Sequence, residues 1–201
     1  MYVATLVLLA RGSCSTSSEG TAVSARVHDA SATAKDATIG DALRSGSFWL
    51  LFVIIFVGMG SGLVVLNQLS QMVSAVGGTE AMTTVLVSLL SVANCFGRIT
   101  FGLVPDAIGE LLARQAFLVL DLLLMILAQI LISFGKLPTL IAGTVVAGFS
   151  YGGLWTLVPA LLLEYFGTKN FATIYNVQLL ALSLASLVFN TLIASKIYDT
   201  Q

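Results

Sequence analysis

Gly148-Phe149-Ser150-Tyr151-Gly152-Gly153-Leu154-Trp155-Thr156-Leu157-Val158-Pro159 lies inside an apolar run from Pro138 to Leu163. Such a run crosses a bilayer as a helix, since about 20 apolar residues suffice at a rise of about 1.5 Å each. A purely structural membrane helix is mostly Leu, Ile and Val. This one instead places small residues, two aromatic rings and a proline at mid-depth. Gly148 and Gly152 form a G-x-x-x-G pair, which lets another backbone approach closely. Tyr151 and Trp155 are four apart and share a helix face. Pro159 removes a backbone donor and is expected to bend the last turns. Two readings are open: the glycines serve helix packing, and the aromatic pair faces a cavity beside a helix that flexes.

Composition settles the class. Hydrophobic residues make up 57% of the chain and charged residues only 9%, with a mean hydropathy of +0.98. A soluble domain carries roughly a quarter charged residues, so this is an integral membrane protein. A net charge of −1 without a basic cluster gives no footing for nucleic acid. Cys14 falls in a polar stretch and Cys95 in an apolar span, so they read as separate inert thiols. His28 has no metal-ligand companions, and nothing points to a metal or cofactor. There is no nucleophile–base pair and no phosphate loop, so an enzyme is not expected.

Met1–Ala10 is apolar but too short to span, and nothing basic precedes it. It reads as the tail of a preceding transmembrane helix. Residues 11–47 are rich in Ser, Thr, Ala and Gly and read as a flexible linker, with Ser47 placed to cap the first full span. From 48 to 201 the chain reads as a helical bundle of five full spans: Phe48–Val76, Thr83–Val104, Ala113–Phe134, Pro138–Leu163 and Phe171–Lys196. Continuous apolar runs of this length exclude a β-barrel, whose strands alternate over about ten residues. Arg11, Arg26, Lys35, Arg44, Arg98, Arg114 and Lys169 then fall on one side, and Lys136 and Lys196 on the other. That asymmetry places the linker in the cytoplasm. Gly58-Met59-Gly60-Ser61-Gly62 aligns with the Gly148–Gly152 stretch at an offset of about 90 residues, in spans that run in opposite directions. Inverted three-helix units are the plan of many secondary transporters. Here the second unit lacks its third helix, which is expected to leave one flank of Pro138–Leu163 poorly covered.

Gly102-Leu103-Val104-Pro105-Asp106-Ala107-Ile108-Gly109 resembles the G-x-x-x-D-x-x-G loop signature of the major facilitator superfamily, with Arg98 two turns upstream and Ala107, Glu110 and Leu111 where basic residues usually flank it. Phe48-Trp49-Leu50-Leu51-Phe52, Gly60-Ser61-Gly62-Leu63 and Asn67 to Gln71 are similar to the seventh helix of its plant nodulin-like and fungal monocarboxylate-transporter-like branch. Phe96-Gly97-Arg98 is similar to the end of the eighth, and Glu164-Tyr165-Phe166-Gly167 with Ala172-Thr173-Ile174-Tyr175-Asn176 to the junction of the tenth and eleventh. The resemblance covers Phe48 to Asn190. It implies the C-terminal half of a transporter of a small solute such as a monocarboxylate or another organic anion, working by alternating access and lacking its N-terminal half and last helix.

The resemblance also assigns the first helix of each unit to the solute path. Helical spacing places Gly60, Asn67, Gln71 and Ser74 on one stripe, and Thr144, Gly148, Tyr151, Trp155 and Pro159 on another. Asn67 and Gln71 are therefore candidates for solute contacts or interhelical hydrogen bonds, and Tyr151 and Trp155 for cavity lining. Asn176, Ser183 and Asn190 share one face suited to helix packing. Asp121 is the one acid well inside a span. With Arg98, Asp106 and Arg114 it is expected to form an ion-pair network at the cytoplasmic gate rather than to carry a proton. The two function classes are a secondary transporter and a truncated membrane protein with a structural or assembly role.

Overall fold

The computed structural model describes residues 38–108 and 114–189. The apolar remnant at 1–10, most of the linker and Asn190 lie outside the described residues. Thr38 opens the first helix, α1 (Ile39–Arg44), through a capping box with Asp41. This corrects the reading of 11–47 as linker throughout. Thr38 and Asp41 satisfy each other's backbone N–H groups, so a short helix forms where composition alone suggests coil. Trp49 donates its indole N–H to the Leu43 carbonyl at 2.9 Å, which ties α1 to the helix after it.

The five expected spans are all present: α2 (Gly46–Ala75), α3 (Glu80–Ile108), α4 (Arg114–Ser133), α5 (Leu137–Phe166) and α6 (Phe171–Ser186, with the span carried on to Phe189). The described residues are helical with short connections and contain no strand. This is an all-α membrane bundle. Gly77, Gly135 and Gly167 adopt positive φ just after α2, α4 and α5, where an L side chain would be strained and the helices stop. Successive spans alternate in direction. The starts of α2, α4 and α6 and the ends of α3 and α5 therefore share one side, called here the linker side.

Two helices depart from the sequence reading. The segment around Asp106 is not a loop, because α3 runs on through Pro105 to Ile108 and carries Asp106 in its last turn. In α2 the α-helical bonding gives way to a π-helical turn at Ile55–Met59. The Ser61 hydroxyl donates to the Gly58 carbonyl at 2.8 Å, and Gln129 of α4 reaches the Ser61 carbonyl at 3.4 Å. Such turns free backbone groups that then need new partners.

At the centre stands α5. In its most apolar stretch 61% of residues are buried, against 22–39% for the other four spans. The expectation of an uncovered flank on Pro138–Leu163 is thus corrected. Open space lies instead between α2 and α4, a cavity of about 650 Å³ lined by Val57, Gly58, Leu122, Ile126 and their neighbours. Gln178 of α6 closes the linker side by donating to the Phe48 carbonyl at 2.9 Å.

Candidate functional site

The site is built on the close contact of α3 with α5. A Cβ at Gly152 would fall on the carbonyl of Asn94, one at Gly97 on the carbonyl of Phe149, and one at Gly148 would lie 2.6 Å from the Leu90 oxygen. The G-x-x-x-G pair is therefore a packing device, and Gly97 reciprocates from α3. With lipid tails as apolar as Leu, close van der Waals approach of this kind is what holds membrane helices together.

That approach fixes the neighbouring ring. Tyr151 is buried, and its ring covers Gly62 of α2, where a Cβ would come within 2.5 Å. Tyr151 thus packs α5 onto α2 rather than lining open space. Trp155, one turn on, is half-buried and meets Tyr151 edge-on at 6.2 Å between ring centroids. The guanidinium of Arg98 lies over the Trp155 ring, 5.8 Å from its centroid. Its Nε donates to Asn94 Oδ1 at 2.9 Å. Tyr175 on α6 stacks its ring on Phe171 at 5.6 Å between centroids. Arg98 is exposed and has no carboxylate partner among the described residues. A guanidinium lying over an aromatic face still has terminal N–H groups to offer a planar anion such as a carboxylate.

The other predicted residues are placed elsewhere. Arg114 at the start of α4 pairs with Asp106 at the end of α3 at 2.5 Å, and both side chains are more than one-third exposed. Asp121 takes no part in an ion-pair network among the described residues, which corrects that expectation. It is fully buried against Gly153, two residues before Trp155 and so about 200° around α5 from it. Arg98 therefore stands on the opposite side of α5, and Arg114 is committed to Asp106. Asn67 and Gln71 are exposed on α2 with Ser70 and Ser74, on the side away from buried Val65, Leu69 and Val73. Asn67 lies five residues beyond Gly62 towards the far side, and Trp155 four residues from Tyr151 towards the linker side. The two sets are separated by roughly 13 Å along the helix axes. They form two levels of one bundle rather than one cluster.

Asn94 was missed in the sequence. Asn94 is detectable four residues before Arg98 on the same helix face. The cavity between α2 and α4 is almost wholly apolar and touches neither Arg98 nor Trp155.

The family model described as "NFD4, C-terminal domain" matches residues 33–201. The chain belongs to this family. It matches the C-terminal domain of nodulin-like proteins of the major facilitator superfamily, and its helices and relatives agree with that. It is 28% identical over 154 residues to the uncharacterized MFS-type transporter YhjX of Escherichia coli, covering 76% of this chain and 38% of that protein. It is 28% identical over 164 residues to the probable transporter MCH1 of Saccharomyces cerevisiae, covering 76% and 33%. To the oxalate:formate antiporter of Oxalobacter formigenes it is 29% identical over 156 residues, covering 77% and 37%. This NFD4-type domain thus spans little more than a third of the length of these relatives. Its place in a multi-pass membrane transport family is established by them.

Proposed function

We propose that this domain forms one wall of a secondary active transporter for a small carboxylate, with Arg98 as the anion contact and Trp155 and Asn94 as the residues that hold it. The observation that carries the reading is a guanidinium lying over the Trp155 ring with no carboxylate partner among the described residues. An unpaired cation within a span is expensive, and it is kept where a solute or a facing helix completes it. The oxalate:formate antiporter among the relatives supports a carboxylate. Asn67 and Gln71 serve the far half of the same path, where amides can pass an anion along without a fixed charge. The linker side is cytoplasmic on this reading, following the distribution of Lys and Arg. An N-terminal half supplies the opposite wall, and alternating access is the rocking of the two halves about the path.

Trp49 and Trp155 are the only tryptophans in the chain. Trp49→Phe therefore leaves Trp155 as an emission reporter beside Arg98. Titration of that variant in detergent with formate, oxalate and chloride is expected to give a saturable response to the carboxylates, lost in Arg98→Gln. A response that chloride equals, or one that Arg98→Gln leaves unchanged, overturns the assignment. Residues 1–201 alone in proteoliposomes are expected to show no uptake of either carboxylate. Saturable uptake abolished by Trp155→Ala would mean that the chain builds a complete path by itself. Labelling of single cysteines placed at Ser17 and Thr200 is expected from opposite sides; labelling of both from one side rejects the five-span orientation.

A further inference from the structure

Asp121 is the polar group that the transport reading does not use. Its side chain is fully buried, and neither carboxyl oxygen has a protein hydrogen-bond partner among the described residues. The surroundings are shaped for it. Gly153 of α5 faces the carboxyl so closely that a Cβ there would sit 2.7 Å from Oδ1, and the same Cβ would meet the ring of Phe101 on α3. The Ser150 hydroxyl, one turn earlier on α5, is spent on the Asp121 main-chain carbonyl at 2.9 Å, which fastens α4 to α5 beside the carboxyl.

No countercharge faces it from the described elements packed there. From α3 the Phe101 ring packs against the same Gly153, while Asp106 is paired with Arg114. From α4 itself, Arg114 is engaged by Asp106, and Gln115 bonds the Tyr165 hydroxyl at 2.7 Å. From α5 come Gly153 and Ser150, with Arg98 on the helix face opposite. From α2, Gly58 meets Leu122, the residue beside Asp121, and brings no ionisable group. A carboxylate left unpaired inside a membrane bundle costs more than almost any other buried group. A carboxylic acid at the same place costs only what a neutral polar group costs.

We propose that Asp121 is a proton-binding site, holding its proton while the seam between α4 and α5 is closed around Gly153. An ionised carboxylate becomes tolerable there only in contact with water or a cation. Any movement that separates α4 from Gly153 and admits water therefore releases one proton to that water. The site lies off the solute path, on the far face of α5 from Trp155, so proton and solute would be linked through the helix and not by contact.

Infrared spectroscopy of residues 1–201 in lipid at pH 7, with the aspartate carboxyls carbon-13 labelled, tests this directly. Exposed aspartates are ionised at that pH. A labelled carboxylic-acid C=O band is expected, slow to shift in heavy water, absent from Asp121→Asn and retained in Asp106→Asn. Should Asp121→Asn fail to fold, Asp121→Glu serves instead: the band must leave the labelled position and return at the unlabelled frequency. A wild-type spectrum with carboxylate bands alone, or a carboxylic band that survives removal of the Asp121 carboxyl, overturns the proposal.

Discussion

The same small-residue motif stands in α2 and α5, and the two helices use it in different ways. In α5, Gly148 and Gly152 admit backbone, the carbonyls of Leu90 and Asn94. In α2, Gly58, Gly60 and Gly62 admit side chains: Leu122 and Leu154, then Ala185 and Phe189, then Tyr151. Backbone cannot move aside, whereas a side chain has other rotamers. Accordingly α5 is a continuous helix from Leu137 to Phe166, locked against α3, and α2 carries the π-helical turn at Ile55–Met59 beside open space. The two helices of the repeat thus differ in what opposes their glycines, backbone for α5 and side chains for α2.

The hardest blow to this contrast is expected from Gly152→Ala. The new methyl group meets the Asn94 carbonyl, no rotamer relieves it, and α3 must shift away from α5. A loss at or above about 3 kcal/mol is expected, the upper end for overpacking. Size-exclusion profiles and thermal unfolding in detergent would show it as loss of the folded chain. A variant with wild-type stability would mean that the seam is looser than its geometry.

Gly62→Ala sharpens the comparison. Its clash is with the Tyr151 ring, so a loss of about 1–3 kcal/mol is expected. The double variant Gly62→Ala with Tyr151→Leu should recover much of it, because the smaller side chain makes room. Failure of that rescue in the same unfolding assay would place backbone, not side chain, opposite Gly62. No single side-chain change is expected to rescue Gly152→Ala.

Gln178→Leu tests how α2 is held at its start. It removes the bond to the Phe48 carbonyl but keeps the volume, so about 0.6–2 kcal/mol should be lost. Faster proteolysis on the linker side should accompany the lower melting temperature. The smallest effect is expected from Arg114→Gln. The pair with Asp106 is more than one-third exposed on both sides, and exposed pairs are worth about 0.2–1 kcal/mol. A larger loss would show that the α3–α4 turn is an energetic anchor of the bundle.

Hydropathy and length are enough to number the spans, because a bilayer demands about 20 apolar residues whatever the tertiary fold. Spacing alone also shows that Gly148 and Gly152 admit a close neighbour and that Tyr151 and Trp155 share a face. The identity of the neighbour is not legible that way. Asp121 illustrates the limit: seven residues from Arg114 along one helix, it is pairable on paper, yet α5 draws it to Gly153 while Asp106 takes Arg114. Arg98 illustrates it from the other side, since its position by the Asp106 motif suggests a gate, whereas the approach of α3 to α5 lays it over Trp155. The π-helical turn leaves no composition signal, arising where α2 must meet α4, α5 and α6 at successive glycines. What the sequence determined by itself is local, the number, length and class of the helices and the faces that carry small, aromatic or amide residues. Only tertiary structure decided which of those faces meet, because in lipid the partner of each polar or small residue is chosen by how closely two helices can approach, a property of both helices and of neither alone.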